Sequence, residues 1–340
     1  MNIHMRKLIT AVVALFAAFY STTAFADWKP AGDKIKTVWA EKVSPQNALP
    51  EYPRPIMERA QWLNLNGLWD YAITAKDAPR PDKFDGQILV PFAVESSLSG
   101  VGKMLGERKS LWYERSIEIP ADWKGKNILL NFGAVDWKAE VFVNGAKIGE
   151  HTGGYTPFSF DITKSLKDGK NTLAVRVWDS TGGVLPHGKQ RPKPEGIFYT
   201  PVSGIWQTVW LEPVSATHIS KLKITPDLDS SSFAITVSSA DPKAVANIKV
   251  LDNGKVVAEA SAPANKIANI PVANPKLWSP KSPFLYDLEI TLSKDGRKVD
   301  EIKSYAGMRK FALKELSKWA NREFQLNNHK FFSFGLLDQG

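Results

Sequence analysis

The segment AEVFVNGAKIGEH, residues 139–151, decides how this chain folds. Its apolar residues Ala139, Val141 and Val143 recur at every second position, and Asn144-Gly145 then interrupts them before the chain runs on. Period two marks a strand with one face buried and the other wet. An Asn-Gly pair tolerates positive φ at both positions, as a two-residue hairpin turn requires. The expectation is an antiparallel hairpin on a half-buried sheet.

The same pattern extends in both directions. In NTLAVRVWD (171–179) Leu173, Val175 and Val177 share one face, opposite Thr172, Ala174, Arg176 and Trp178. SFAITVSS (232–239) places Phe233, Ile235 and Val237 together, IKVLDNGKVVAE (248–259) turns at Asn253-Gly254, and YDLEITLSKDGRKVDEIK (286–303) turns at Asp295-Gly296. Short strands with regular turn signals are the pattern of β-sandwiches. The join between two such units is expected at Pro213–Thr217, inside LEPVSATHI. Long helical periodicity is absent outside the leader; LKELSKWANREF (313–324) has the spacing of a short helix through Leu313, Leu316 and Trp319. The tail FFSFGLLDQG (331–340) opens with an apolar run, expected as an interior strand on which Phe332, Phe334 and Leu336 alternate.

At 340 residues, 43% hydrophobic and 23% charged, the chain is of ordinary globular composition and long enough for about two domains. Residues 1–26 differ: Arg6 and Lys7 precede an apolar run from Leu8 to Tyr20, and Ala24-x-Ala26 follows, the layout of a cleaved secretory signal peptide. The apolar run is shorter than the roughly 20 residues of a spanning helix. Export to periplasm or extracellular medium is therefore expected, with no membrane contact after cleavage. There is no cysteine, which excludes disulfide staples, thiol catalysis and Cys-ligated zinc. Net charge is +9, or +7 once Arg6 and Lys7 leave 42 basic against 35 acidic residues. The basic residues are dispersed, so no nucleic-acid footprint is expected.

Proline-rich residues 27–60 read as an extended arm. Regular structure is expected from Gln61: a first sandwich over 61–215, of jelly-roll size, and a second over 216–312, of immunoglobulin-like size. Gly153-Gly154 before YTPF permits a tight bend where the chain passes between sheets. In SGIWQTVWLEPV (203–214), Trp206 and Trp210 are expected on one face of one strand.

Several stretches together carry a resemblance. They are LNGLWDYAI (65–73), VPFAVESSLSGVG (90–102), LWYERSIEIP (111–120), LNFGAVDWKAEVFVNGAKIGEHTGGYTPFSFDIT (130–163), SGIWQTVWLEPV, NPKLWSPKSPFLYDLEI (274–290), GMRKF (307–311) and FQLNNHKFFSFGLLDQG (324–340). The chain resembles the non-catalytic N-terminal portion of glycoside hydrolase family 2, which includes β-galactosidases, β-glucuronidases and β-mannosidases. The resemblance implies an all-β fold, a jelly-roll β-sandwich followed by an immunoglobulin-like β-sandwich, with residues 313–340 as the lead-in and first strand of a truncated (β/α)8 barrel. It also implies what would cover the apolar tail, namely the rest of that barrel.

In that family two glutamates on later barrel strands break the glycosidic bond by a retaining mechanism, and neither has a counterpart in this sequence. No catalytic residue is assigned. Glu95, Glu114 and Glu195 are expected at the surface, as charged side chains usually are. His4, His151, His187, His218 and His329 lack metal-site spacing, so no metal or other cofactor is expected. Aromatic rings that can stack on a pyranose are Trp112, Trp137, Tyr155, Trp178 and Tyr199, set against the commoner use of strand aromatics as core. Trp112 and Trp178 are the candidate substrate-binding residues, with Asp338, which would lie at the C-terminal end of a first barrel strand. Known β-galactosidases have an Arg-Gly-Val-Asn-Arg-His pattern where this chain has FGLLDQ, which speaks against galactose specificity. The function implied is the N-terminal portion of an exported family 2 enzyme whose partner is a β-glycoside; oligomeric state is left open. The alternative is a stand-alone secreted carbohydrate-binding or scaffold protein.

Overall fold

The computed structural model describes residues 28–183, 185–316 and 322–337. The leader and Asp338 lie outside the described residues, as does Trp319. The described chain is all β apart from short 3₁₀ turns such as Val38–Lys42 and Pro55–Met57.

The first unit contains β1 (Leu63–Asn64), β2 (Gly67–Ala75), β3 (Gly86–Val90), β4 (Lys109–Glu118), β5 (Asn127–Phe132), β6 (Val135–Asp136), β7 (Lys138–Val143), β8 (Ala146–Thr152), β9 (Phe158–Asp161), β10 (Lys170–Trp178), β11 (Gly204–Ile205) and β12 (Val209–Val214). One sheet runs β1-β12-β5-β9 and the other β3-β2-β4-β10-β7-β8, with β6 paired to β11 at one end. This is the jelly-roll sandwich. Its core lies where period two placed it: Val141 faces Val175 across the β7–β10 ladder, and Ala139, Val141, Val143, Leu173, Val175 and Val177 are all fully buried. Burying such a side chain contributes about 1.5–3 kcal/mol. Trp69 and Tyr113 meet edge to face at 6.4 Å in the same core, and the Trp69 indole N–H donates to the Leu65 carbonyl at 2.8 Å.

The second unit contains β13 (Lys221–Asp227), β14 (Ser232–Ser238), β15 (Val245–Asp252), β16 (Lys255–Pro263), β17 (Ile267–Pro271), β18 (Tyr286–Lys294) and β19 (Arg297–Ala306). Sheets β13-β14-β17 and β16-β15-β18-β19 enclose Phe233, Ile235, Ile248, Leu288 and Ile290, an immunoglobulin-like sandwich. All three turns foreseen from sequence have positive φ at both residues: Asn144 52° and Gly145 83°, Asn253 50° and Gly254 80°, Asp295 50° and Gly296 74°. That is the backbone a two-residue hairpin needs to match the twist of its strands.

Three expectations require correction. Trp206 and Trp210 do not share a strand, because the chain breaks between β11 and β12; the Trp206 indole donates to the Gly154 carbonyl while Trp210 turns to Glu212. The short helix through Leu313 is instead a hairpin sheet of β20 (Phe311–Glu315), β21 (Arg322–Leu326) and β22 (His329–Lys330), with Leu313 opposite Phe324. Cross-strand pairing outweighed a weak 3.6-residue period. Residues 331–337 form no strand, and Phe332 is 84%, Phe334 91% and Leu336 97% exposed. A strand exists only by pairing, and beyond the Phe331 N–H, which donates to the Phe324 carbonyl of β21 at 2.8 Å, no described strand bonds to this run.

The two sandwiches and the arm meet at a buried carboxylate, Glu212 on β12. Its side chain has no exposure. Tyr52 donates to it at 2.6 Å, the Trp210 indole at 2.7 Å, and Arg54 at 2.8 and 2.9 Å. Arg59 stands 3.2 Å from the same carboxylate and reaches the other way to Asp300 of β19 and to the Ile219 carbonyl. Asp300 in turn accepts the Ile219 backbone N–H at 2.7 Å. Burial and the neighbouring carboxylate push the Tyr52 hydroxyl up to about 12.

Removing one partner of a buried ion pair strands the other, so Glu212→Ala is expected to lower the unfolding free energy by about 3–5 kcal/mol in urea titrations. A loss below about 1 kcal/mol, the scale of exposed pairs, would show that water screens this junction.

Candidate functional site

Ionisable groups with displaced pKa values gather at the end of the first sandwich where β6 meets β11. Glu95 follows β3 by a few residues and is 1% exposed. One of its oxygens accepts the Ser203 N–H at 2.9 Å, and the other lies 3.4 Å from the Leu105 N–H. Asp179, the residue after β10, accepts the Thr181 N–H at 2.9 Å, the Thr181 hydroxyl at 2.8 Å and the Ser203 hydroxyl at 2.8 Å. Ser203 therefore clasps two carboxyls at once. Asp136 ends β6 and accepts no hydrogen bond from a described residue, although only 5% of it is exposed. It presses on the Gly153-Gly154 bend, where a Cβ at Gly154 would stand 2.6 Å from its carboxyl carbon.

Burial pushes Glu95 up to about 7. Asp136 also rises to about 7, first through burial and then through repulsion by Asp179 and Glu95. The Tyr113 hydroxyl, which accepts the Ile205 N–H at 3.1 Å, is driven upward by burial. Gly204 has φ 95° and lies against that hydroxyl, leaving no room for a side chain. Tyr155, 56% exposed, meets Trp206 edge to face at 5.9 Å on the rim. An open cavity of about 370 Å³ adjoins, lined by Lys34, Phe92, Glu95, Ser97 and the 200–202 segment.

These carboxyls were missed from sequence, and the surface expectation for Glu95 is overturned by its burial; Glu114 does lie near the surface, paired with Arg80 at 2.6 Å, and Glu195 is exposed. A signal existed. Glu95 in VPFAVESS and Asp136 in FGAVDW are single charges embedded in apolar runs. Chemically, Glu95 and Asp179 are occupied in holding backbone and hydroxyl donors of the 179–206 connection. Among the described residues no group of three or more acidic or histidine side chains is placed to hold a metal ion.

The aromatic candidates are scattered rather than convergent. Trp112 on β4 is 3% exposed, lies 5.6 Å from Phe142 and 5.8 Å from the Arg176 guanidinium, and its indole N–H is buried without an acceptor. Trp178 is half-buried at the end of β10, beside an open cavity of about 570 Å³. Its N–H donates to the Glu107 carbonyl at 2.7 Å, and the Lys76 ammonium sits 3.6 Å from its ring centre. Trp137 is half-buried and Tyr199 is 48% exposed.

A carboxyl whose folded pKa is raised stabilises the fold below its unfolded value near 4, and that contribution is lost as pH rises through about 7. His151, lowered by burial, acts in the opposite sense on approach to 6.5. Comparison with Asp136→Asn isolates the carboxyl. The variant's melting temperature is expected to exceed that of the parent at pH 8, with the gap closing toward pH 5; a gap independent of pH would contradict the upward displacement of this carboxyl.

Comparisons with known proteins agree with this fold. Residues 101–212 match the model of the glycosyl hydrolases family 2 sugar binding domain, and residues 217–309 match a second model of glycosyl hydrolases family 2. The chain is 31% identical over 245 residues to a β-galactosidase of Thermoanaerobacter pseudethanolicus, covering 66% of this chain and 32% of that protein. It is 25% identical over 309 residues to a β-glucuronidase of Paenibacillus borealis, covering 84% of this chain and 50% of the relative. The crystal structure of Ruminococcus gnavus β-glucuronidase superposes with a TM-score of 0.67 at 22% identity, over 84% of this chain and 50% of that one. The chain thus spans a third to a half of the length of these relatives. With both sandwiches matched in order, the chain belongs to glycosyl hydrolase family 2.

Proposed function

We propose that these residues form the non-catalytic, two-sandwich portion of an exported β-glycoside hydrolase of the β-glucuronidase or β-galactosidase kind. In the complete enzyme a separate catalytic domain would cleave the glycosidic bond with a pair of carboxyls, one acid/base and one nucleophile. The sandwiches would support that domain and flank its substrate cleft. Similarity to enzymes named β-glucuronidase and β-galactosidase supports the reaction class. The leader pattern supports export.

The observation that carries the reading is the uncovered apolar surface beyond the second sandwich. Phe311 is 57%, Leu313 53%, Phe324 60%, Phe332 84% and Phe334 91% exposed, a run of large apolar groups of the kind that marks an interface. The displaced carboxyls do not offer a rival catalytic pair. Glu95 and Asp179 are committed to Ser203 and Thr181, and Asp136 is enclosed against Gly154.

Two outcomes test the proposal. The purified chain is expected to release no nitrophenol from aryl β-glucuronide, β-galactoside or β-mannoside; turnover abolished by a substitution within residues 61–312 would overturn it. Phe334→Asp with Leu336→Asp is expected to leave the melting temperature of the sandwiches unchanged, since those side chains touch neither core; a marked fall would show that the run serves this fold rather than an added domain.

A further inference from the structure

Residues 200–203 lead into β11 without belonging to a strand, and the way they are attached is unusual. Neither the Val202 nor the Ser203 N–H bonds to backbone. Val202 donates to the Gln190 side-chain carbonyl at 2.7 Å, and Ser203 donates to the Glu95 carboxyl at 2.9 Å. The Ser203 hydroxyl goes to Asp179 at 2.8 Å, while the Ser203 carbonyl accepts the Val94 N–H at a longer 3.2 Å. The next residue, Gly204, pairs with Asp136 of β6. Two buried carboxyls thus hold this piece of chain directly, and a third stands beside it. Asp179 also holds Thr181 by its N–H and hydroxyl. Thr181 is β-branched and has φ 45°, a conformation that costs energy and relaxes once the hold is lost.

No counter-charge is placed to take up ionisation at this corner. Among the described residues Glu95, Asp136 and Asp179 form no ion pair. Lys34 of the arm gives its ammonium to the Glu95 backbone carbonyl at 2.9 Å, not to the carboxyl. Lys103, from the segment packed on Glu95, lies 6.0 Å over the Tyr71 ring. His151, near the bend that presses on Asp136, stacks on Phe158 at 4.2 Å and is lowered by burial. The Tyr113 hydroxyl, driven upward by burial, stays protonated. The connection itself contributes His187, Lys189 and Arg191, the last held 4.6 Å over Phe198.

We propose that residues 200–203 are a pH-sensitive latch, closed while Glu95 and Asp136 are neutral and released when they ionise beside Asp179. Two effects oppose each other as the carboxyls ionise. A charged Glu95 accepts more strongly from Ser203, but that is a single short bond, since the Leu105 N–H stands 3.4 Å away. Burial outweighs it, which is why Glu95 titrates at about 7. Asp136 has no such bond from a described residue, and its acidic neighbours raise it further. Releasing the segment hydrates both acids and lets Thr181 relax. Thr200, Pro201 and Val202 wall the cavity of about 370 Å³ beside Glu95, so the shape of that cavity follows pH.

The test is hydrogen exchange of the intact chain, resolved at the Val202 and Ser203 amides and corrected for the intrinsic rate at each pH. A carboxyl near 7 when closed and near 4 when open predicts that corrected exchange rises at least about tenfold from pH 5 to pH 8. Glu95→Gln combined with Asp136→Asn is expected to hold the change within about threefold over the same range. Corrected exchange that is flat in the parent, or that rises as steeply in the double variant, overturns the proposal. So does a rise shared equally by the Val141 and Val175 amides, which would report unfolding of the whole sandwich. Should the double variant fail to fold, Ser203→Ala removes the hydroxyl hold on Asp179 alone. It is expected to exchange at least about fivefold faster than the parent at pH 5, and an unchanged rate in it overturns the proposal equally.

Discussion

The relation between the two sandwiches depends on one carboxylate. Glu212 is wholly buried, and an isolated charge there would be untenable. It is tolerated because a tyrosine, an indole and two guanidiniums converge on it, three of them from the arm at Tyr52, Arg54 and Arg59. Arg59 then bridges to Asp300, an acid of the other sandwich. The arm is thereby part of the joint. Its Met57 sits in the second core, the Ile56 carbonyl accepts the Ser304 hydroxyl at 2.6 Å, and Glu58 exchanges backbone bonds with Lys303 of β19. Such a network contributes less to net stability than its contacts suggest, since desolvation offsets much of the attraction. What it does confer is a single geometry, because each misplacement would leave a buried charge unpaired.

Much of this was legible in the sequence, and the reason is local. Period two needs only neighbouring residues, and the Asn-Gly and Asp-Gly turns need only their own backbone freedom, so AEVFVNGAKIGEH announced both a strand face and a hairpin. The misplaced elements are those whose structure is set from a distance. Trp206 and Trp210 fit one strand by spacing, yet β11 takes its partner from β6 and β12 takes its partners from β5 and β1, and the chain must break between them. Residues 313–324 have a faint helical period, but β20 pairs antiparallel with β21. The run past Phe331 has strand composition and no described strand bonded to it. The Trp178 cavity was only half visible: the ring was a candidate, whereas Lys76 and Arg108 reach it through loop packing that no periodicity records.

The buried acids at the β6–β11 end left a signal that general statistics outweighed. Glu95 and Asp136 are lone charges in apolar runs, and statistics place lone charges in water. Burial here follows from the long connection between Asp179 and Ser203, which has few backbone ladders of its own. Its buried N–H groups still need acceptors. Glu95 supplies one for Ser203, and Asp179 supplies one for Thr181. Burying these carboxyls is the cost of that service, and it appears as the upward displacement of Glu95 and of Asp136, the latter raised further by its acidic neighbours. Raised carboxyl pKa values in a cleft often mark catalysis. In this molecule the geometry assigns them to holding a connection in place.

Strand β10 shows how one element can serve both ends of this design. Alternation turns Trp178 outward to the open cavity and Asp179 inward to the Ser203 clasp, though they are adjacent in sequence. The outward ring is fixed by Glu107, and the inward acid by Thr181 and Ser203. Any slip of β10 by one residue would exchange the two, placing an indole among buried carboxyls and a carboxylate in the cavity. Register is held against that by Leu173, Val175 and Val177, whose burial in the core fixes which way residue 178 must point. The packing that makes the sandwich therefore also determines that the surface beside Lys76 receives an aromatic face.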